Sequence, residues 1–385
     1  MAVTRACYCS REQAMRAVDF KDGIDVNDAT DRAIQSAAEN IDRQLHRRFY
    51  PYDGTVYFDW PNQGGSGGGQ YAWPWRLWFD QFDCTVLTSF VTGGVTIPLS
   101  EVFLEPVNNP VEGRNWYTYL ELDRSSTAAF GGNAQTPQHS IVLAGTWGAG
   151  ADADAAGNLA AAVSTTSATS MTVTDGSQAG VGDLLILGYG RGSAPYPSAA
   201  GYAGAIAPYT GERVLVTGKS TADTGLAIAS GVETASSADQ SFTTSGSGTL
   251  YVGEVLTIDS EQMLVEQITG SVTTVRRAWN GTTLATHNSS TEIYANRTLA
   301  ITRAMYGTTA STYSSNAAVY RHRVPSLIRD LSVAEAVTQV INEGAGYART
   351  VGSGDAAFPA PGADLASKWD EAVTAYGRKA RQRAV

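Results

Sequence analysis

Gly64-Gly65-Ser66-Gly67-Gly68 has the Gly-x-Ser-x-Gly spacing of a nucleophile elbow, which holds a serine on a sharp turn between a strand and a helix. Gly67 to Gly69 cannot begin that helix, so the stretch reads as a mobile loop tip with no side chains to pack. Gly218-Lys219-Ser220 has the ending of a phosphate-binding loop, whose first glycine would stand at position 213. Arg213 is there instead and the residues before it have strand character, which predicts a β-turn. His46, His139, His287 and His322 lie in different segments without i,i+4 partners, so they are expected as separate surface or half-buried side chains, not a metal cluster. Trp73, Trp75 and Trp78 beside Asp80 and Asp83 would suit a sugar-stacking platform with paired carboxylates, but aromatics on a strand more often pack against a helix or a neighbouring subunit. Cys7, Cys9 and Cys84 cannot all pair, and Cys7-Tyr8-Cys9 is too tight for a zinc knuckle; free thiols are expected. No residue is assigned to catalysis, to a cofactor or to a metal, so a non-enzymatic role in assembly or binding is expected.

Composition narrows that role. With 37 acidic and 27 basic residues the formal charge is −10, which excludes a free duplex-binding protein, since that would need a basic face to displace counterions. Hydrophobic residues make up 43% and charged residues 17%, enough for a substantial core and against global disorder. No apolar run approaches the ~18 residues of a membrane span, and the polar opening from Met1 to Ser10 predicts neither signal peptide nor anchor.

The elements that would carry these residues fall into three blocks. Ser10 with Gln13 is a capping-box pattern opening a short helix through Val18. A second helix follows an Asn27 or Asp28 cap, with Ala33, Ile34, Ala37, Ala38, Ile41 and Leu45 at helical spacing and Pro51 beyond its end. Short alternating or aromatic runs at 55–60, 71–79, 86–91, 117–122 and 140–145 predict strands. After His322 helical periodicity returns: Pro325 in a first-turn position, then Leu327, Ile328, Leu331, Ala334, Val337, Val340 and Ile341 up to Gly344, apolar on more than one face and so central to a bundle. A Gly-, Ala- and Pro-rich linker leads to a last helix containing Leu365, Trp369, Ala372, Val373, Tyr376 and Ala380, and no acid follows Glu371.

The middle block, rich in Ser, Thr, Gly and Val, contains internal repeats. Arg277-Ala278-Trp279-Asn280-Gly281-Thr282-Thr283 aligns without gaps with Arg303-Ala304-Met305-Tyr306-Gly307-Thr308-Thr309. Val181-Gly182-Asp183-Leu184 matches Val252-Gly253-Glu254-Val255, and Gly211-Glu212-Arg213-Val214-Leu215-Val216 matches Ser260-Glu261-Gln262-Met263-Leu264-Val265. Small β units have been copied, with an extra loop between Tyr189 and Tyr209 in the first.

The flanks resemble the head-to-tail connector (adaptor) family of long-tailed bacteriophages. The resemblance is carried by the helix ending Ile41-Asp42-Arg43-Gln44-Leu45-His46-Arg47-Arg48-Phe49-Tyr50-Pro51, by Tyr117-Thr118-Tyr119-Leu120-Glu121-Leu122, by Ile141-Val142-Leu143-Ala144-Gly145-Thr146-Trp147-Gly148, and by the Val324-Pro325-Ser326-Leu327-Ile328 helix start. It implies an α+β fold: a helical-bundle connector core with a small β-sheet or hairpin, split into 1–149 and 324–385 by an inserted all-β domain of duplicated units at 150–323. It further implies a virion neck protein assembled in the bacterial cytoplasm, a homo-oligomeric ring of about 12 copies with heterologous contacts, bound beneath the portal protein and facing stopper or tail proteins. Genomic DNA would pass through without specific binding, and no membrane or cofactor is involved. On this reading Arg32, Arg43, Arg47 and Arg48 are candidates for the subunit interface. Trp369, Tyr376, Arg378, Lys379, Arg381 and Arg383 are candidates for portal docking, and Gly64, Gly65, Ser66, Gly67, Gly68 and Gly69 for a loop in the channel or against the next ring. A tail-completion or stopper protein, and a glycan-binding surface protein using Trp279, Tyr306 or the Trp73 cluster, are the alternatives.

Overall fold

The computed structural model describes residues 3–17, 24–60, 75–106, 116–131, 136–150, 152–190, 210–232, 235–236, 238, 240–344, 350–351, 358–359 and 363–378. The chain opens with α1 (Arg11–Ala17) and α2 (Ile24–Leu45). The capping box forms reciprocally: the Ser10 amide donates to Gln13 Oε1 at 3.0 Å and the Gln13 amide to Ser10 Oγ at 3.2 Å. Helix α2 begins ahead of the expected Asn27 or Asp28 cap, which places Asp28 near its start, where an acid is favourable.

Two sheets follow. The first orders β1 (Tyr52–Phe58), β7 (Ile141–Trp147), β3 (Cys84–Thr92) and β4 (Val95–Thr96); the second orders β2 (Arg76–Trp78), β6 (Tyr119–Leu122) and β5 (Val102–Glu105). They share one core that includes Phe58, Leu77, Phe79, Leu104, Leu143 and Trp147. The Gly-Thr-Trp-Gly stretch has a steric reason here. A Cβ on Gly145 would collide with the Val86 carbonyl across the ladder, and one on Gly148 with the Tyr50 carbonyl. Thr146 Oγ1 donates to Asp53 Oδ1 at 2.7 Å, and the fully buried Trp147 gives its ring N–H to the Gly54 carbonyl at 2.9 Å.

The middle block is one sheet of ten strands, ordered β8 (Ala153–Asn158), β17 (Ala318–His322), β10 (Leu184–Gly190), β11 (Thr210–Gly231), β12 (Ser241–Gly246), β15 (Val272–Arg276), β14 (Glu261–Thr269), β13 (Val255–Ile258), β16 (Glu292–Thr302) and β9 (Ser170–Thr172). An additional pairing of β11 with β16 closes β11, β12, β15, β14, β13 and β16 into a six-stranded barrel. The remaining strands, β8, β17, β10 and β9, wrap another core with the other halves of β11 and β16, closed by a bridge between Leu159 and Val173; this is the first barrel in chain order, and the six-stranded one is the second. Two cores result: Leu185, Val214, Val216, Leu299 and Val319 in one, and Ile228, Phe242, Leu256, Met263 and Ile293 in the other. The second barrel is inserted into the first midway along β11 and β16, so the copied units seen in the sequence are nested, not strung in tandem. Gly218-Lys219-Ser220, expected as a turn, runs inside β11 and pairs with Thr298 to Ala300 of β16.

Helix α3 (Ser326–Gly344) starts where expected, with the Arg329 amide bonded to the Pro325 carbonyl at 3.0 Å. It buries two faces: Ile328 and Leu331 join Ala38, Ile41 and Leu45 of α2, while Ala336 and Val340 join Ala33, Ile34 and Ala37. Helix α4 (Ala363–Tyr376) completes the first cluster through Ala372, with Leu365, Trp369 and Tyr376 packed on it.

The expected helical-bundle core does not form. Among the described residues 40% are strand and 23% helix, with four helices. Residues 52–147 build their own two-sheet core, and the helices fill the seam between those sheets and the first barrel, where Trp116, Ala149, Leu184 and Tyr306 meet them. The short strand runs read in the sequence as a small sheet enclose Phe58, Phe79, Phe90 and Trp147 in a core of their own, so they form a unit beside the helices and do not decorate a bundle.

Candidate functional site

Each barrel is locked by the same buried acid–base arrangement. In the first, Glu212 pairs with Arg303 and accepts from the amides of Ala304 at 3.1 Å and Ser311 at 3.2 Å. In the second, Glu261 pairs with Arg277 and accepts from the amides of Ala278 and Ala285, each at 2.9 Å. The arginines cap matching carbonyls, Ser311 and Ala285. A threonine hydroxyl one turn later accepts the amide of the residue that follows each glutamate, Thr308 from Arg213 and Thr282 from Gln262, both at 3.0 Å. Burial opposes the charge on Glu261, but hydrogen bonds from Arg277, Ala285, His287 and Ala278 outweigh it and hold the carboxyl down at about 2. These pairs are structural. Their signal was in the aligned repeats, which keep an acid at 212 and 261 and an arginine at 277 and 303.

The histidines correct the surface expectation in part. His46 and His139 are exposed, but His287 and His322 are buried. His287 is bracketed, Nδ1 at 2.8 Å from Asp259 Oδ2 and Nε2 at 3.0 Å from Glu261 Oε2, so neither nitrogen is available as a base for a substrate. His322 donates from Nε2 to the Phe49 carbonyl at 2.6 Å, and burial pushes its pKa down to about 4. No group of three or more His, Cys, Asp or Glu side chains among the described residues is placed to hold a metal ion. Cys7, Cys9 and Cys84 are unpaired and buried, and burial raises the thiol pKa of Cys9 to about 12.

The residues singled out for assembly divide. Asp83 is 2% exposed at its side chain and takes Arg47 at 3.0 Å and Arg378 together; Arg378 also gives its amide to the Leu45 carbonyl at 3.3 Å. Arg47 and Arg378 therefore tie the ends of α2 and α4 to the two-sheet unit. Burial raises the Asp83 carboxyl against the pull of both arginines. Trp369 and Tyr376 pack in the helical cluster, Tyr376 edge-on to Phe49. Arg32, Arg43 and Arg48 are exposed on or just beyond α2: Arg32 meets Glu343 of α3 at 2.8 Å, Arg43 donates to Asn40 at 3.1 Å, and Arg48 lies over the Tyr52 ring. Gly64 to Gly69, Trp73, Lys379, Arg381 and Arg383 lie outside the described residues.

The described aromatics of the glycan alternative are occupied within the chain. Asp83 belongs to the arginine clamp, Arg124 covers Trp75, and Trp78 lies 4.2 Å from Tyr119. Tyr306 accepts the Ala6 amide at 2.7 Å and stacks on Tyr50, and Arg276 lies over Trp279. A cleft of about 340 Å³ opens where α1 meets both barrels, lined by Arg11, Glu12, Asp183, Lys219, Arg276 and Arg321 among others. Its cations already have partners: Arg11 pairs with Asp31, Lys219 caps the Gly176 and Ala179 carbonyls, and Arg321 caps Gln178. No protein-family profile, curated protein or solved structure matches the chain.

Proposed function

We propose that this chain is a structural component of a phage neck, a head-to-tail adaptor that closes into a ring beneath the portal and forms part of the DNA channel. The observation that carries the reading is the union of the two flanks. Ile41 and Leu45 from one side of the inserted barrels share a buried cluster with Ile328, Leu331 and Ala372 from the other. An adaptor core interrupted by an insertion requires that union. The buried charge clusters suit the same reading, since each one ties elements of the fold together. A net charge of −10 suits a channel that passes DNA without retaining it.

Native mass measurement and electron-microscope imaging of the purified chain test the proposal, with cross-linking to the portal protein of the same particle. A ring of about 12 copies in cross-linking contact with the portal is the expected result. Contact only with tail components would move the chain to the stopper position, and a monomer that ignores the portal and retains oligosaccharide would overturn the adaptor reading.

A further inference from the structure

Helices α2 and α3 leave an open groove of about 410 Å³ along their outer seam, lined by Ser36, Glu39, Asn40, Arg43, Glu335 and Gln339. At its floor Glu335 is 6% exposed. Its Oε1 accepts from Asn40 Nδ2 at 2.7 Å and Gln339 Nε2 at 3.5 Å, while Oε2 is buried without a hydrogen-bond partner among the described residues. Burial raises the carboxyl, and those two amides together with the nearby charge of Arg43 offset it only in part. The groove's own cation reaches Glu335 only through its charge, since Arg43 gives its hydrogen bond to Asn40 Oδ1. A buried carboxylate oxygen left unpaired is costly, so the groove suits a donor that the described residues do not supply.

The chain holds cations to match. Arg32, Arg47, Arg213, Arg297 and Arg378 are paired with carboxylates of their own chain. Residues 379–385 carry Lys379, Arg381 and Arg383 with no acid after Glu371. Helix α4 packs on the face of α2 that holds Ala38, Ile41 and Leu45, and Arg378 is bonded there to the Leu45 carbonyl. By helical periodicity Ser36, Glu39, Asn40 and Arg43 lie on the other face. The segment after α4 thus starts across α2 from the groove of its own chain, whereas a closed ring sets one face of each copy against the opposite face of the next.

We propose that the α2–α3 groove is a socket for the cationic segment 379–385 of a neighbouring copy, with Glu335 as the anchor for a guanidinium or ammonium group. This rests on the ring reading, and the experiment separates the two. A fluorescent peptide of residues 377–385 is titrated into the full chain carrying Lys379→Gln, Arg381→Gln and Arg383→Gln, so that its own segment does not compete. Saturable binding is expected, weakened about tenfold or more by Glu335→Gln and again by Gln339→Lys at the groove rim, and absent for a peptide with the same three glutamines. Folding of each variant is checked by its thermal transition. Equal binding by Glu335→Gln and Gln339→Lys overturns the socket, as does a peptide that binds the portal and not this chain. Rings that form unchanged in these variants would remove the socket and leave the ring reading intact. A chain monomeric at every concentration whose peptide binding still depends on Glu335 would leave the groove as a cation site and remove the ring.

Discussion

Glu212 and Glu261 occupy matching places in the two barrels, each clamped by an arginine and by two backbone amides from the turn that follows that arginine. A carboxylate with that many donors is a keystone of its barrel. Glu261→Gln is expected to lower the unfolding free energy by about 3 to 5 kcal/mol, because Arg277 is left charged and buried, and Glu261→Leu combined with Arg277→Met should lose clearly less. Urea denaturation of the three proteins checks this. A double variant no better than the single would show that the pair is not the source of the loss.

The Asp83 clamp predicts a local effect. Asp83→Ala leaves Arg47 and Arg378 without their shared acid and should cost about 3 to 5 kcal/mol. It should also raise hydrogen exchange in α4 more than in the barrels, since Arg378 is the last described residue tying α4 to the two-sheet unit. Unchanged protection of 363–376 would refute the clamp.

His322 sets a pH dependence. Its pKa falls from the ordinary 6.5 to about 4 in the fold, so between those values the unfolded chain takes the proton first. The contribution is fully present above pH 6.5 and is lost as pH falls to 4, amounting to about 3 kcal/mol. Asp183 acts in the opposite sense: burial lifts its carboxyl from 3.8 to about 6, so the folded chain is favoured as pH falls through that window. His322→Gln keeps a donor for the Phe49 carbonyl but does not titrate. Stability curves of the two proteins should therefore converge toward pH 4, and parallel curves would exclude His322 as the cause.

Two neighbouring glycines separate steric from conformational cost. Gly148 has φ +125° and no room for a Cβ beneath the Tyr50 carbonyl, whereas Gly150 has φ +132° and nothing within 4 Å. Gly148→Ala is expected to cost about 2 to 4 kcal/mol and Gly150→Ala about 1. Thermal denaturation ranks them, and equal losses would mean that the contact with Tyr50 yields freely.

The helices were legible because their signals are local: the Ser10–Gln13 box, the spacing from Ala33 to Leu45, and Pro325 at the start of α3. The copied β units were legible as well, down to the residues that pair. Nesting was not. Nothing near Gly218 or Thr298 announces that one strand serves two cores, since pairing of β11 with β16 spans the whole second barrel. The assembly candidates failed to sort for a related reason. Arg47 and Arg48 are adjacent arginines, and only the distant Asp83 decides that one is a structural tie while the other lies over Tyr52. Glu335 gave no sign in the sequence, because an acid on a helix ordinarily faces water and its burial comes from Asn40 on another helix.

Strands β11 and β16 pass from one barrel into the other, bent by bulges but never interrupted. Covalent backbone and ladder bonds therefore join the far barrel to the first, which is bonded in turn to the two-sheet unit through Arg213 and Asp53. A load applied at the far tip would travel as along a stiff lever, not dissipate in a linker, and would arrive at the strands beside the helical seam.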